Sequence, residues 1–220
     1  MKPIFQLTSN INNRVKLLLF LLYFSSIFIA NYILLSDRNY LEQSFQSVKA
    51  SERNEQAERM VEAGIDYISN NTMIRILYAL QGVVKSTYSI GMLAFLLWLT
   101  LAFITDYWNS FLNIFYSLSL ASSILTFGIM LDTAVKLLCY NYVSYFEFGV
   151  LFNYFDLHRI LKILSLGFHL FTVLFLVTLS VSLSQYFKEK ILTILLLSTM
   201  CWLFIILLSY FLGFNVSLTA

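Results

Sequence analysis

Residues that interrupt helices are scarce in this chain. Its 220 residues include one proline, Pro3, and only seven glycines. Because proline and glycine are the residues that most often break a helix, their scarcity predicts that nearly the whole chain is helical. A β-barrel, which needs alternating segments of about ten residues, does not fit the long apolar run from Ile191.

Charged residues and cysteines are also few. Only 12% of the residues are charged, about half the usual share for a soluble domain, while 59% are hydrophobic. A soluble fold of this size would leave an aggregating apolar surface. Cys139 and Cys201 lie in separate apolar contexts, which predicts neither a disulfide framework nor a metal site. The formal charge of +2 indicates no nucleic-acid partner.

Long apolar runs are the dominant feature of the sequence. Five nearly uncharged runs of about twenty residues each match a hydrocarbon core of roughly 30 Å. They begin near Leu17, Ser86, Phe111, Ile163 and Ile191. We therefore predict an all-α, polytopic membrane helix bundle of about five transmembrane helices, with the chain forming a single transmembrane domain.

Residues 37–72 form the one strongly hydrophilic segment. Arg38 and Glu42 are spaced for an ion pair within a helix. Apolar residues recur at helical spacing, which predicts one or two amphipathic helices outside the hydrocarbon. The segment is either a solvated connector or a docking surface for a partner, and its charge-laced faces favour the connector. The apolar positions are Leu41, Phe45, Val48, Val61, Ile65 and Ile68.

The sequence does not decide how two stretches are placed relative to the membrane. Residues 72–85 either lie along the interface or continue directly into the second span. The aromatic stretch 132–162 predicts short interfacial or re-entrant helices rather than a sixth span, because Glu147 would be a costly carboxylate at the bilayer centre. Whether 137–155 is interfacial, re-entrant or spanning stays undecided by the sequence.

Basic residues in short segments predict the orientation. Arg14 and Lys16 precede the first apolar run, and Lys188 and Lys190 lie in the turn after the fourth. The positive-inside rule places both segments in the cytoplasm. The carboxyl end and residues 37–72 are then extracytoplasmic.

Catalytic motifs are absent from the sequence. It contains no HExxH, GxSxG or P-loop pattern, so we predict no catalytic, cofactor-binding or metal-binding residues and no enzymatic activity. His169 is the ionisable residue expected inside a span, with hydroxyls of Ser165 and Thr172 on its helix face. It either relays protons or binds an ion, or it is a neutral imidazole that joins helices by hydrogen bonding; the second interpretation is favoured.

Small residues recur four positions apart in two spans. Ser119 and Ser123 lie in the third run, and Ser180 and Ser184 lie in the fourth. This spacing predicts faces where helices pack closely, within the bundle or between protomers, although a role in lining a substrate path is the alternative.

The ordered series of features resembles the Yip-domain family of integral membrane proteins in its bacterial form. The resemblance rests on the charged segment SVKASERNEQAERMVEAG and on the carboxyl hairpin HLFTVLFLVTLSVSLSQYFKEKILTILLLSTMCWLF. It implies a five-helix bundle in a bacterial inner membrane with a cytoplasmic amino end. The proline usual in the family's third span is absent here. Positions that match the hairpin are Phe171, Thr172, Lys188, Lys190 and Trp202.

These features favour a non-enzymatic integral membrane protein that acts as a scaffold or partner-binding component. Its expected partners are the lipid bilayer and other membrane proteins, in an oligomeric state that the sequence does not fix. A small transporter or permease subunit is the alternative, although no inverted repeat and no broken helix pair is visible.

Overall fold

The structure, a computed structural model, describes residues 12–51, 55–105, 111–139, 146 and 169–211. These residues form seven α-helices and contain no β-strand. The predicted all-α membrane helix bundle is confirmed. In chain order the helices are α1 (Asn13–Ser36), α2 (Arg38–Ser51), α3 (Glu55–Asn70), α4 (Thr72–Thr105), α5 (Phe111–Cys139), α6 (Leu170–Phe187) and α7 (Ile191–Phe211).

Five of these helices, α1, α4, α5, α6 and α7, are long and apolar enough to cross a membrane. Their bounds refine the predicted runs. Helix α4 begins at Thr72, so residues 72–85 continue directly into the second span. Helix α5 continues to Cys139, so the expectation of interfacial or re-entrant structure from residue 132 is wrong for 132–139. Residues 140–145 and 147–168 lie outside the described part of the chain.

Side chains at the helix ends fix where the helices begin and stop. The Oδ1 atom of Asn12 accepts a hydrogen bond from the Arg14 backbone nitrogen at 3.1 Å, capping α1. The Oδ1 atom of Asn71 caps α4 in the same way, 3.0 Å from the Met73 nitrogen. Such caps satisfy backbone N–H groups that have no partner inside the helix. Lys188 ends α6 in the left-handed conformation, with φ of 55°.

The five long helices close into one bundle. Helix α1 packs against α4 and α5, α5 against α6, α6 against α7, and α7 against α4. Their inward side chains form a continuous apolar core from which solvent is excluded. Its fully buried members include Tyr23, Leu93, Leu97, Leu118, Leu125, Phe175, Leu179 and Trp202.

Side-chain contacts define two ends of the bundle. Helices α1 and α5 run in the same direction, since their early residues share one cleft and their late residues share another. The Lys16 end contains the beginnings of α1, α5 and α7 and the last residues of α4 and α6. The opposite end, which we name the His169 end, carries the beginnings of α4 and α6 and the α2–α3 hairpin.

The α2–α3 hairpin packs through an apolar seam. Leu41, Ile65 and Ile68 are buried together, and the half-buried Phe45 and Val61 pack against them. These are positions that the helical spacing singled out; the side chain of Val48 lies outside the described part. Helix packing of this kind requires amphipathic faces, which both helices present.

Charged groups line the solvent side of the same hairpin. The guanidinium of Arg38 lies 2.9 Å from Glu42 on its own helix and 3.0 Å from Asp66 on α3. Arg38 therefore links the two helices outside the apolar seam.

Candidate functional site

A buried ion pair lies near the His169 end of α5. The Lys136 Nζ atom is 2.8 Å from the Asp132 Oδ2 atom, and the two side chains are 9% and 5% exposed. The residues are four positions apart, so one helix presents both charges on the same face. Ionised side chains are almost never this buried unless they are paired.

The depth of the pair follows from the length of α5. Leu125 lies halfway between Phe111 and Cys139, and Asp132 lies seven residues further on. At 1.5 Å per residue, Asp132 is about 10 Å from the helix midpoint and Lys136 about 16 Å from it. The hydrocarbon of a bilayer extends roughly 15 Å from its centre. For a centred helix, Asp132 is thus at hydrocarbon depth and Lys136 at its edge.

His169 lies beside this pair and begins α6. It is 3% exposed, and its Nδ1 atom accepts a hydrogen bond from the Phe171 backbone nitrogen at 3.3 Å. The imidazole stacks on Phe171, with ring centroids 5.4 Å apart, and packs against Phe146 at 5.8 Å. His169 was expected well inside the fourth span, whereas the described helix starts only at Leu170.

The capping bond defines the protonation state of the imidazole. Nδ1 can accept this hydrogen bond only when it carries no proton, so the bond requires a neutral ring with its proton on Nε2. Both Asp132 and Lys136 act electrostatically on His169. We name these three residues the polar cluster. All three side chains are buried, and neither the polar cleft nor the apolar groove described below includes them in its lining.

The companions predicted for His169 are only partly described. Thr172 is 2% exposed and lies in the first turn of α6. Ser165 falls among residues that the structure does not describe. The members that the sequence missed are Asp132 and Lys136. Their signal was the four-residue spacing of opposite charges directly after an apolar run.

The serines predicted at packing faces are largely enclosed by protein. Ser119 and Ser180 are fully buried and Ser184 is 6% exposed, whereas Ser123 is half-buried. Their hydroxyls donate to carbonyls of their own helices, for example Ser180 to the Leu176 oxygen at 2.6 Å. All four hydroxyls bond to such carbonyls, and neither cleft described below includes them in its lining.

An apolar groove of about 380 Å³ runs between α1 and α5 on the outside of the bundle. Its walls combine small side chains with branched or flexible apolar ones. The Ser26 hydroxyl is bonded to the Tyr23 carbonyl at 2.7 Å, so it presents no unsatisfied donor to the groove. Residues in its lining include Leu22, Ser25, Ala30, Ile33, Met130 and Ala134.

A polar cleft of about 410 Å³ opens at the Lys16 end between α1, α5 and α6. The Asn113 amide donates a hydrogen bond to the Tyr186 hydroxyl, and the Ser182 hydroxyl donates to Ser117 at 3.0 Å. The Lys16 ammonium lies 5.3 Å from the centre of the Tyr116 ring. No sequence pattern indicated this cleft, because its walls come from three helices far apart in the chain.

No metal centre is formed by the residues that the structure describes, since none of their His, Cys, Asp and Glu side chains gather in groups of three or more. Comparisons with family models, curated proteins and solved structures find no match. The resemblance to the Yip-domain family therefore stays a prediction.

Proposed function

We propose that this protein is a non-enzymatic component of its membrane that binds another membrane protein through the apolar groove between α1 and α5. The groove is the observation that carries the proposal. It extends along α1 from Leu22 to Ile33, about 17 Å at 1.5 Å per residue. That length accommodates three turns of a partner helix.

The side chains of the groove suit helix packing rather than catalysis. Ser25, Ala30 and Ala134 are small, and small residues let two helix backbones approach closely. Leu22 and Ile29 on α1 remain 48% and 54% exposed, so a large apolar surface borders the groove. In lipid such a surface gains little from the hydrophobic effect, and shape complementarity decides which helix binds.

The proposal also includes the identity of the membrane and the orientation of the bundle in it. The Yip-domain resemblance supports a bacterial inner membrane, and the basic residues of the Lys16 end support a cytoplasmic amino end. The groove then faces acyl chains, and the α2–α3 hairpin lies on the extracytoplasmic side. A scaffold of this type needs no reaction centre.

Photo-crosslinking in the native membrane tests this function. A photoreactive residue replaces Ser25, which is exposed in the groove, and a matched control replaces Leu196, which is 57% exposed on α7. We expect a defined crosslinked protein from position 25 and only lipid adducts from position 196. In the background of Ala134→Trp, which fills the groove, the adduct from position 25 disappears. Equal protein adducts at both positions, or an adduct unaffected by Ala134→Trp, would contradict the proposal.

A small transporter or permease subunit is the second candidate, and the polar cluster is the observation that favours it. Intramembrane titratable residues mark ion and proton pathways in many transporters. Proton flux into vesicles that contain the purified protein tests this function, with Asp132→Asn and His169→Ala as variants. Flux that falls in both variants supports transport. Flux equal to that of protein-free vesicles eliminates it for protons.

A further inference from the structure

The polar cleft opens at the ends of the long helices, where a membrane-spanning bundle meets lipid headgroups. Asn113 is in the first turn of α5, Lys16 is in the first turn of α1, and Gln185 and Tyr186 are in the last turn of α6. The cleft reaches down to Leu120, which is seven residues or about 10 Å deeper than Asn113 along α5. It therefore starts among headgroups and extends toward the acyl chains.

Acyl chains are poor occupants for this space. Of the described residues that line the cleft, all except Leu120 carry a polar side-chain atom. A charged group that faces hydrocarbon without a counter-charge is destabilising by several kcal/mol, to an order of magnitude, and Lys16 is the charged member of the described lining. An occupant that brings acceptors for Lys16 and the neighbouring donors removes this penalty. The volume of about 410 Å³ falls within the range of about 300–1,000 Å³ that is typical of ligand sites.

The charge of the lining selects an anion. Among the residues that the structure describes, the lining contains one lysine and no carboxylate, and Lys16 forms no ion pair. The face of the Tyr116 ring supports the ammonium without neutralising it. Because the Tyr186 oxygen accepts the bond from Asn113, its own proton can be donated to an occupant.

We infer that the polar cleft binds an anionic phosphate group through Lys16, with the headgroup of an anionic phospholipid as its source in the membrane. A phosphodiester presents one negative charge and two free oxygens, which match one ammonium and the surrounding hydroxyl and amide donors. A choline or ethanolamine headgroup would bring a cation that finds no carboxylate in the lining. This inference is independent of the proposed function, since the cleft and the apolar groove share no residue.

Native mass spectrometry of the full chain in detergent, titrated with phosphatidylglycerol, tests the inference. Lys16→Gln removes the charge in the cleft, and Lys190→Gln removes an exposed charge at the same end that does not line it. We expect the unaltered protein and Lys190→Gln to bind one phosphatidylglycerol equally. Lys16→Gln should bind it about tenfold more weakly. Tyr186→Phe, which changes no charge, should weaken binding a few-fold.

Competition with inorganic phosphate distinguishes a lipid headgroup from a soluble phosphate compound as the occupant of the polar cleft. Lipid that stays bound in excess phosphate identifies the headgroup, whereas displacement identifies a soluble phosphate compound. Either result supports the phosphate site when it depends on Lys16. Equal binding by Lys16→Gln and Lys190→Gln, or equal binding of phosphatidylcholine and phosphatidylglycerol, would overturn the inference. Melting temperatures of all variants ensure that each titration reports on folded protein.

Discussion

At the residue scale, the Asp132–Lys136 pair places two opposite charges in the interior of the bundle. Each charge alone would be buried at great expense in free energy, and each is tolerated because the other lies 2.8 Å away. The pair is internal to α5, so each charge has a counter-charge on its own helix. His169 adds a neutral ring that caps α6 beside it.

Removing one partner of this pair should be far worse than removing both. We expect Asp132→Asn to lower the free energy of unfolding by about 3–5 kcal/mol, because Lys136 would remain buried without its counter-charge. The double variant Asp132→Leu, Lys136→Met should recover most of that loss. Unfolding in detergent, followed by tryptophan fluorescence, measures both. A double variant as unstable as Asp132→Asn would show that the pair does more than neutralise itself.

Gly128 permits the close approach of α5 to α6. A Cβ atom there would lie 2.6 Å from Phe171 Cδ2 and 2.7 Å from Phe171 Cβ, whereas one at Gly91 would meet nothing within 4 Å. We expect Gly128→Ala to destabilise the protein by about 1–3 kcal/mol through overpacking. Gly91→Ala should be neutral or slightly stabilising, because alanine is the better helix former. Equal melting temperatures for the two variants would contradict a close contact between Gly128 and Phe171.

At the element scale, the α2–α3 hairpin is held mainly by apolar burial. The hydrogen bond to Glu42 and the charge of Asp66 raise the pKa of Arg38, so its guanidinium is always charged. Arg38 is nonetheless exposed, and water and salt screen such pairs strongly. Leu41, by contrast, is only 2% exposed within the apolar seam.

Substitutions at Leu41 and Arg38, both on α2, compare the contribution of apolar burial with that of the exposed ion pairs. Leu41→Ala leaves a cavity and should destabilise the hairpin by about 2–4 kcal/mol, which accelerates amide hydrogen exchange throughout α2 and α3. Arg38→Gln should change that exchange only slightly and mainly at low salt. Exchange in α5 and α7 serves as the internal control. Faster exchange in Arg38→Gln than in Leu41→Ala would reverse the ranking of the two contributions.

Hydropathy and periodicity predicted the elements but not all of their ends. The apolar runs located five spans, and the helical spacing of Leu41, Ile65 and Ile68 singled out side chains that are buried. The end of α5 was missed because hydropathy treats Asp132 as a boundary. Inside a helix, a charge four residues from its counter-charge does not end the apolar environment, because Lys136 neutralises it.

The apolar groove and the polar cleft could not be predicted, because each is formed by side chains of different helices. The polar cleft joins Lys16, Asn113 and Ser182 from three helices, and no local spacing connects them. Their proximity depends on which helices pack together and on how far each is shifted along its axis. A single sequence does not carry that information.

At the scale of the whole molecule, an odd number of crossings separates the two ends of the bundle. Three of the long helices, α4, α5 and α6, lie between Asn70 and Lys190. Asn70 ends α3 at the His169 end, and Lys190 precedes α7 at the Lys16 end. Both are exposed. The polar cleft and the polar cluster would then lie toward opposite sides of the membrane.

Cysteine accessibility at these two positions tests the five crossings most directly. Asn70→Cys and Lys190→Cys are introduced singly into a chain whose own cysteines, Cys139 and Cys201, are replaced by serine. A maleimide that does not cross membranes is applied to intact and to permeabilised cells. We expect one position to react in intact cells and the other only after permeabilisation, with Asn70→Cys as the outer one. Reaction of both positions in intact cells, or of neither, would contradict the five-span bundle.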